Sequence, residues 1–87
     1  MNKKQWQTLE KIFEKPGRSD ILWSDIEKLF NTLGADLTEG KGSRIRVYLR
    51  GVKAVFHRPH PSPETNKLTV KNVRRFLMEA GVSEDGV

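Results

Sequence analysis

The sequence predicts an α+β fold in which a three-stranded antiparallel sheet packs with one face against helices. Two patterns carry this prediction. Apolar residues recur at helical spacing towards both ends of the chain, and apolar and polar residues alternate over residues 44–57. A sheet of this kind leaves its other face in water. Because 87 residues support one thin core, we expect a single domain over residues 1–87, with a helical extension at 1–20 and the core fold at 24–82.

Two helices are predicted before the sheet. The first covers residues 3–14 and is ended by Pro16 and Gly17. Its apolar face, which we expect in the core, consists of Trp6, Leu9, Ile12 and Phe13. The second begins at a capping box formed by Ser24 and Glu27, and Gly34 ends it. The apolar face of this second helix consists of Ile26, Leu29, Phe30 and Leu33.

Three strands are predicted at residues 35–39, 44–49 and 52–57. Arg50 and Gly51 can form a two-residue hairpin turn, with Gly51 at positive φ. Paired residue numbers in the last two strands then sum to 101, whereas a three-residue loop would shift this register. The sum places three cross-strand pairs on the exposed face: Arg44 with His57, Arg46 with Val55, and Tyr48 with Lys53.

The last predicted helix begins at a Thr69 cap and ends at Gly81. Its apolar face consists of Val70, Val73, Phe76, Leu77 and Ala80. The prolines within residues 59–63 end the sheet and keep that segment extended. Residues 82–87 are expected to form a frayed tail.

Positive charge is concentrated in residues 40–63. The chain has 16 Lys plus Arg and 11 Asp plus Glu, a net charge of +5, yet this segment contains no acidic residue. A local excess of positive charge of this kind favours binding of a polyanion, most often nucleic acid. The alternative is that these residues only form the solvated face of a strand. The residues predicted to contact RNA are Lys41, Arg44, Arg46, Tyr48, Arg50, Lys53 and Arg58. Tyr48 is included because its ring can stack on a base.

The predicted neighbours Arg44 and His57 suit phosphodiester chemistry. A histidine can accept a proton from a ribose 2′-hydroxyl or donate one to the leaving 5′-oxygen, and an arginine can hold the phosphate. RNA carries its own nucleophile, so we predict no metal and no cofactor. Pro59 between His57 and His60 prevents a helical zinc site, and no third ligand lies nearby in the sequence. Either histidine could instead only cap the end of the strand.

Several function classes are disfavoured by composition. The chain has no cysteine, which excludes disulfides, thiolate metal sites and a cysteine nucleophile. The absence of acidic residues from 40–63 argues against a two-metal carboxylate nuclease. No run of about 18 apolar residues and no signal-peptide pattern is visible, so we expect a cytoplasmic protein without a membrane partner.

Four stretches of the chain resemble the HicA toxins of bacterial toxin–antitoxin pairs. They are the turn 40–44, the strand pair behind it, the His57-Arg58-Pro59-His60-Pro61 motif and the closing segment 73–82. The resemblance covers about residues 24–82. It implies a double-stranded-RNA-binding-domain-like fold, an endoribonuclease that cleaves mRNA and inhibits translation, and a HicB-type antitoxin that covers the active face.

Position 44 departs from the family pattern. HicA toxins usually have Gly-Ser-His, with that histidine taken as catalytic, whereas this chain has Gly42-Ser43-Arg44. The second family histidine corresponds best to His60, and His57 competes with it, so both are candidate catalytic residues. A non-catalytic RNA-binding module and a domain that binds only an acidic protein are the alternatives. A DNA-binding role is less favoured, because no helix carries the outward basic cluster that major-groove binding requires apart from Lys71, Arg74 and Arg75.

Overall fold

The computed structural model describes residues 1–86 and confirms the predicted fold class. Its elements are α1 (Lys3–Phe13), β1 (Ile21–Leu22), α2 (Trp23–Thr32), β2 (Asp36–Glu39), β3 (Arg44–Leu49), β4 (Val52–His57), β5 (Glu64–Thr65) and α3 (Lys67–Glu79). Strands β2, β3 and β4 form an antiparallel sheet in that order. Apart from the short strand β5, which pairs with β1 outside this sheet, the succession from α2 to α3 is helix, three strands, helix, as in a double-stranded-RNA-binding-domain-like fold. Within residues 1–86, no helix is long and apolar enough to cross a membrane.

The core lies between the helices and the inner face of the sheet. The inward side chains of β3, which are Ile45, Val47 and Leu49, are each at most 2% exposed. Four aromatic rings fill the space between this sheet and α2 and α3, with centroids of neighbouring rings 5.7–6.4 Å apart: Trp23, Phe30, Phe56 and Phe76. Edge-to-face and stacked contacts at these distances add to the burial of apolar area.

The hairpin between β3 and β4 has the predicted register. Arg44 faces His57, Arg46 faces Val55 and Tyr48 faces Lys53. Gly51 has φ of 84°, as expected, but Arg50 also has a positive φ, of 50°. Both central residues of a type I′ turn require positive φ, and only such primed turns match the right-handed twist of the strands. The closure of this hairpin therefore holds Arg50 in a conformation that side chains rarely adopt.

The predicted capping residues of two helices are wrong. Helix α2 begins at Trp23, directly before Ser24, and no side chain caps it. Glu27, which was expected in the capping box, instead accepts a hydrogen bond from the indole N–H of Trp23. Helix α3 begins two residues before Thr69, and the cap is Asn66, whose Oδ1 accepts from the Thr69 backbone N–H at 2.8 Å.

Trp6 and the C-terminal segment also differ from expectation. Trp6 is 42% exposed instead of lying in the core. Gly86 packs on its ring so closely that a Cβ at position 86 would lie 2.7 Å from a ring carbon. Val82 is buried, and residues 83 and 86 form a β-bridge. The tail predicted over 82–87 is thus folded from 82 to 86, and position 87 lies outside the described residues.

A short ladder absent from the sequence prediction anchors the proline-rich segment 59–63. Strands β1 and β5 pair through Ile21 with Thr65 and Leu22 with Glu64. The Trp23 N–H also donates to the Pro63 carbonyl at 3.0 Å. The chain that leaves the sheet after β4 is therefore tied back to the beginning of α2.

Candidate nucleic-acid interface

The outward side chains of β2, β3 and β4 form a surface that we call the exposed sheet face. The register arranges them in three rows across the sheet, which are Asp36–Tyr48–Lys53, Thr38–Arg46–Val55, and Gly40–Arg44–His57. Successive rows are two residues apart along each strand, or about 7 Å. The helices cover the opposite side of the sheet, so all three rows face solvent.

The row at one end brings together the predicted pair Arg44 and His57. Both side chains are exposed, and directly opposed residues have Cβ atoms about 4.5–5.5 Å apart. The ladder continues one step beyond this pair, because the Arg58 N–H donates to the Ser43 carbonyl at 2.8 Å. The turn before β3 is thereby fixed against the end of β4, and Lys41 lies exposed in that turn.

The row at the other end contains an aromatic ring between an acid and a base. Tyr48 is 44% exposed, and the Lys53 ammonium lies 5.9 Å from the centre of its ring. Together with the middle row, these side chains line a shallow groove of about 520 Å³. Asp36 and Thr38 belong to this groove, although neither is among the residues predicted to contact RNA. Extending the strand alternation backwards through the turn at 40–43 would have placed them on this face.

Arg58 occupies a different environment from the other predicted RNA-binding residues. Its Nε donates to Oε2 of Glu27 at 2.8 Å, and its Nη1 donates to Glu39. The hydrogen bonds that Arg58 donates to Glu27, and secondly to Glu39, raise the pKa of its guanidinium above the ordinary value. We call Arg58, Glu27 and Glu39 the Arg58 clamp. The clamp joins the end of β4 to α2 and to the end of β2.

Arg50 and His60 are not members of the three rows. The Arg50 side chain extends from the hairpin towards the end of α3, where its Nη1 donates to the Ala80 carbonyl at 3.4 Å. His60 is exposed in the proline-rich segment, three residues beyond His57. The structure thus gathers five of the predicted site residues on one face: Arg44, Arg46, Tyr48, Lys53 and His57.

The cations of the exposed sheet face have no carboxylate partners among residues 1–86. Of the basic residues in segment 40–63, only Arg58 forms an ion pair in this part of the chain. Unpaired guanidinium and ammonium groups on one surface attract anions, and they exchange water for phosphate without first breaking an internal bond. Also within residues 1–86, no three His, Asp or Glu side chains form a metal-binding group.

The fold and this surface define a small double-stranded-RNA-binding-domain-like protein with a cationic sheet face. The family model of the HicA toxin of bacterial toxin–antitoxin systems matches residues 23–82. This match covers well over half of the chain, so the protein belongs to the HicA toxin family. It is the toxin component of a toxin–antitoxin pair, which implies an antitoxin partner. No curated protein and no solved structure matches the chain.

Proposed function

We propose that the protein is an endoribonuclease that cleaves mRNA and thereby inhibits translation. The observation that carries this proposal is the placement of His57 beside Arg44, both exposed, on a cationic sheet face. Family membership adds support, since it makes the protein a toxin. The position where HicA toxins usually have a histidine is occupied by Arg44, and His57 supplies an imidazole from the neighbouring strand.

The reaction requires two proton transfers. A general base removes the proton from the ribose 2′-hydroxyl, and the 2′-oxygen forms a bond to phosphorus. The bond from phosphorus to the 5′-oxygen breaks, and this leaving oxygen takes a proton from a general acid. The products are a 2′,3′-cyclic phosphate and a 5′-hydroxyl end. Arg44 binds the non-bridging oxygens and stabilises the charge that develops on them.

His57 takes one of the two proton-transfer roles, and His60 is the candidate for the other. His57 is held at the end of β4 by the ladder pair with Arg44 and by the adjacent Arg58 clamp. His60 follows in a segment that is fixed at both ends, by Arg58 and by the Trp23–Pro63 hydrogen bond. Arg46 and Lys53 bind neighbouring phosphates along the strand.

Cleavage of a defined mRNA fragment by purified variants tests the proposal. We expect His57→Ala to lower the single-turnover rate by about 10²–10⁴-fold, the usual contribution of a general acid or base. The His57→Ala/His60→Ala variant should be at least as slow. A chelator should leave the wild-type rate unchanged, because no metal takes part. Identically purified variants control for contaminating nuclease, and a double variant that cleaves at the wild-type rate would contradict the proposal.

A non-catalytic RNA-binding module is the second candidate. Arg44 in place of the family histidine favours it, because a guanidinium cannot serve as a general base at neutral pH. Wild-type protein that binds RNA with the salt dependence of phosphate contacts, yet leaves every RNA intact, would establish this candidate and exclude the first.

We propose further that the antitoxin is of the HicB type and covers the exposed sheet face with an acidic surface. Charge complementarity supports this arrangement, since Arg44, Arg46 and Lys53 lie there without internal partners among residues 1–86. Arg46→Glu should then weaken antitoxin and RNA binding together. Loss of RNA binding with unchanged antitoxin affinity would locate the antitoxin elsewhere.

A further inference from the structure

Asp36 is the one acidic side chain in the three rows of the exposed sheet face. The other carboxylate near the end of β2, Glu39, is bound to Arg58 instead. Asp36 is exposed and forms no ion pair with any residue from 1 to 86. A carboxylate repels phosphate, so on a face that binds RNA its natural partner is a group that donates hydrogen bonds.

The surroundings of Asp36 suit a flat heterocycle. It lies directly opposite Tyr48, and both line the groove of about 520 Å³ on this face. Tyr48 offers a ring that is 44% exposed, and Val55, which is 56% exposed, adds apolar surface in the same groove. An exposed ring of this kind stacks on nucleic-acid bases, whose other atoms are then available at the edge.

The chemistry of a carboxylate selects among the four bases. Its two oxygens accept two parallel hydrogen bonds and donate none. Guanine presents two adjacent donors, the N1–H and the exocyclic N2 amine. Adenine and cytosine each place one amine beside a ring nitrogen that accepts, and uracil places its one N–H between two carbonyl oxygens. Only guanine therefore satisfies both oxygens without placing two acceptors against each other.

We propose that Asp36 and Tyr48 form a guanine-recognition subsite of the exposed sheet face, an inference that rests on the proposed RNA-binding function. Tyr48 stacks on the base, and Asp36 accepts from its N1–H and its exocyclic amine. Tyr48 and Arg44 are four residues apart on the same side of β3, or about 14 Å. The subsite therefore recognises a nucleotide near the scissile phosphate and sets the sequence preference of the protein.

Binding of short single-stranded RNAs tests this subsite. The probes carry one guanosine in a uridine background, or inosine or adenosine at that position, and the His57→Ala/His60→Ala variant keeps them intact. Inosine retains the N1–H but lacks the exocyclic amine. We expect the guanosine probe to bind between about 5-fold and 100-fold more tightly than the adenosine probe, with inosine between them. Asp36→Asn in this background should remove most of that preference.

A matched control separates recognition from general electrostatics. Glu10 is exposed on α1, a helix that packs against α2 and α3, and Glu10→Gln removes the same charge as Asp36→Asn. It should leave the preference for guanosine unchanged. Tyr48→Ala should weaken the binding of all three probes, since stacking is independent of base identity.

The outcomes distinguish this inference from the proposed function. If the protein binds all probes equally, or if Asp36→Asn strengthens all of them by the same factor, the guanine subsite is overturned while RNA binding stands. If no probe binds at low salt, both the subsite and the proposed function are overturned.

Discussion

Two arginines that lie beside His57 have opposite environments. Arg44 is the cross-strand neighbour of His57, exposed and without a carboxylate partner among residues 1–86. Arg58 follows His57 in the chain and turns towards the other side of the sheet, where Glu27 and Glu39 bind its guanidinium. Alternation along a strand accounts for the difference, because consecutive side chains point to opposite faces. The guanidinium is therefore accessible to a ligand at Arg44, whereas at Arg58 it joins β4 to α2 and β2.

Fewer cations are accessible on the exposed sheet face than the sequence predicts. The sequence contains six basic residues in segment 40–63. Arg58 is neutralised by its clamp, Arg50 extends towards the end of α3, and Asp36 enters the face from β2. The cations that remain for the proposed binding of RNA are Lys41, Arg44, Arg46 and Lys53.

Removal of the Arg58 guanidinium should lower the free energy of unfolding more than changes at Arg46 or at the Arg18–Asp20 pair. Arg58→Ala leaves the Glu27 carboxylate, which is 23% exposed, without its charged donor. We expect the free energy of unfolding to fall by about 1.5–3 kcal/mol, the range for hydrogen bonds to charged groups. Chemical denaturation at neutral pH measures this change.

Arg46→Ala is the matched control for the clamp. Arg46 lies on the exposed sheet face without an ion pair among residues 1–86, so its removal should change the unfolding free energy by no more than about 0.5 kcal/mol. It should instead weaken RNA binding and lower the slope of affinity against salt by about one phosphate contact. Equal loss of stability in the two variants would remove the distinction between clamp and binding face.

A smaller effect is expected at Arg18, which forms ion pairs with Glu14 and Asp20 on the surface. Its hydrogen bonds lower the pKa of Asp20 to about 2. Because the folded pKa is depressed, this pair stabilises the fold above about pH 4, and the contribution is lost as the pH falls towards 2. The stability advantage of wild type over Asp20→Asn should shrink over that range. A stability difference between wild type and Asp20→Asn that stays constant from pH 5 to pH 2 would contradict this prediction.

The sheet could be predicted from the sequence because its determinants are local. Alternation fixed the two faces, and a two-residue turn at Arg50 and Gly51 fixed the register that places Arg44 beside His57. The apolar faces of α2 and α3 followed from helical spacing in the same way.

The Arg58 clamp and the wrong capping box of α2 depend on a contact that is distant in the sequence. Glu27 fits a capping box with Ser24 in the sequence, but its carboxylate is taken by Trp23 and by Arg58, which is 31 residues away. Asp36 received no role because its four-residue strand has no clear apolar alternation of its own. Its face follows only when the alternation of β3 is extended backwards through the turn at 40–43, which requires that β2 pairs with β3.

The rate of RNA cleavage after exchanging residues 44 and 57 tests the central claim most directly. His57→Arg removes the imidazole from the row, and we expect the single-turnover rate to fall by at least about 100-fold. Adding Arg44→His restores one imidazole and one guanidinium to the same cross-strand pair, so the exchanged protein should recover at least about 10-fold of that loss. A His57→Arg variant that cleaves at the wild-type rate would contradict the account.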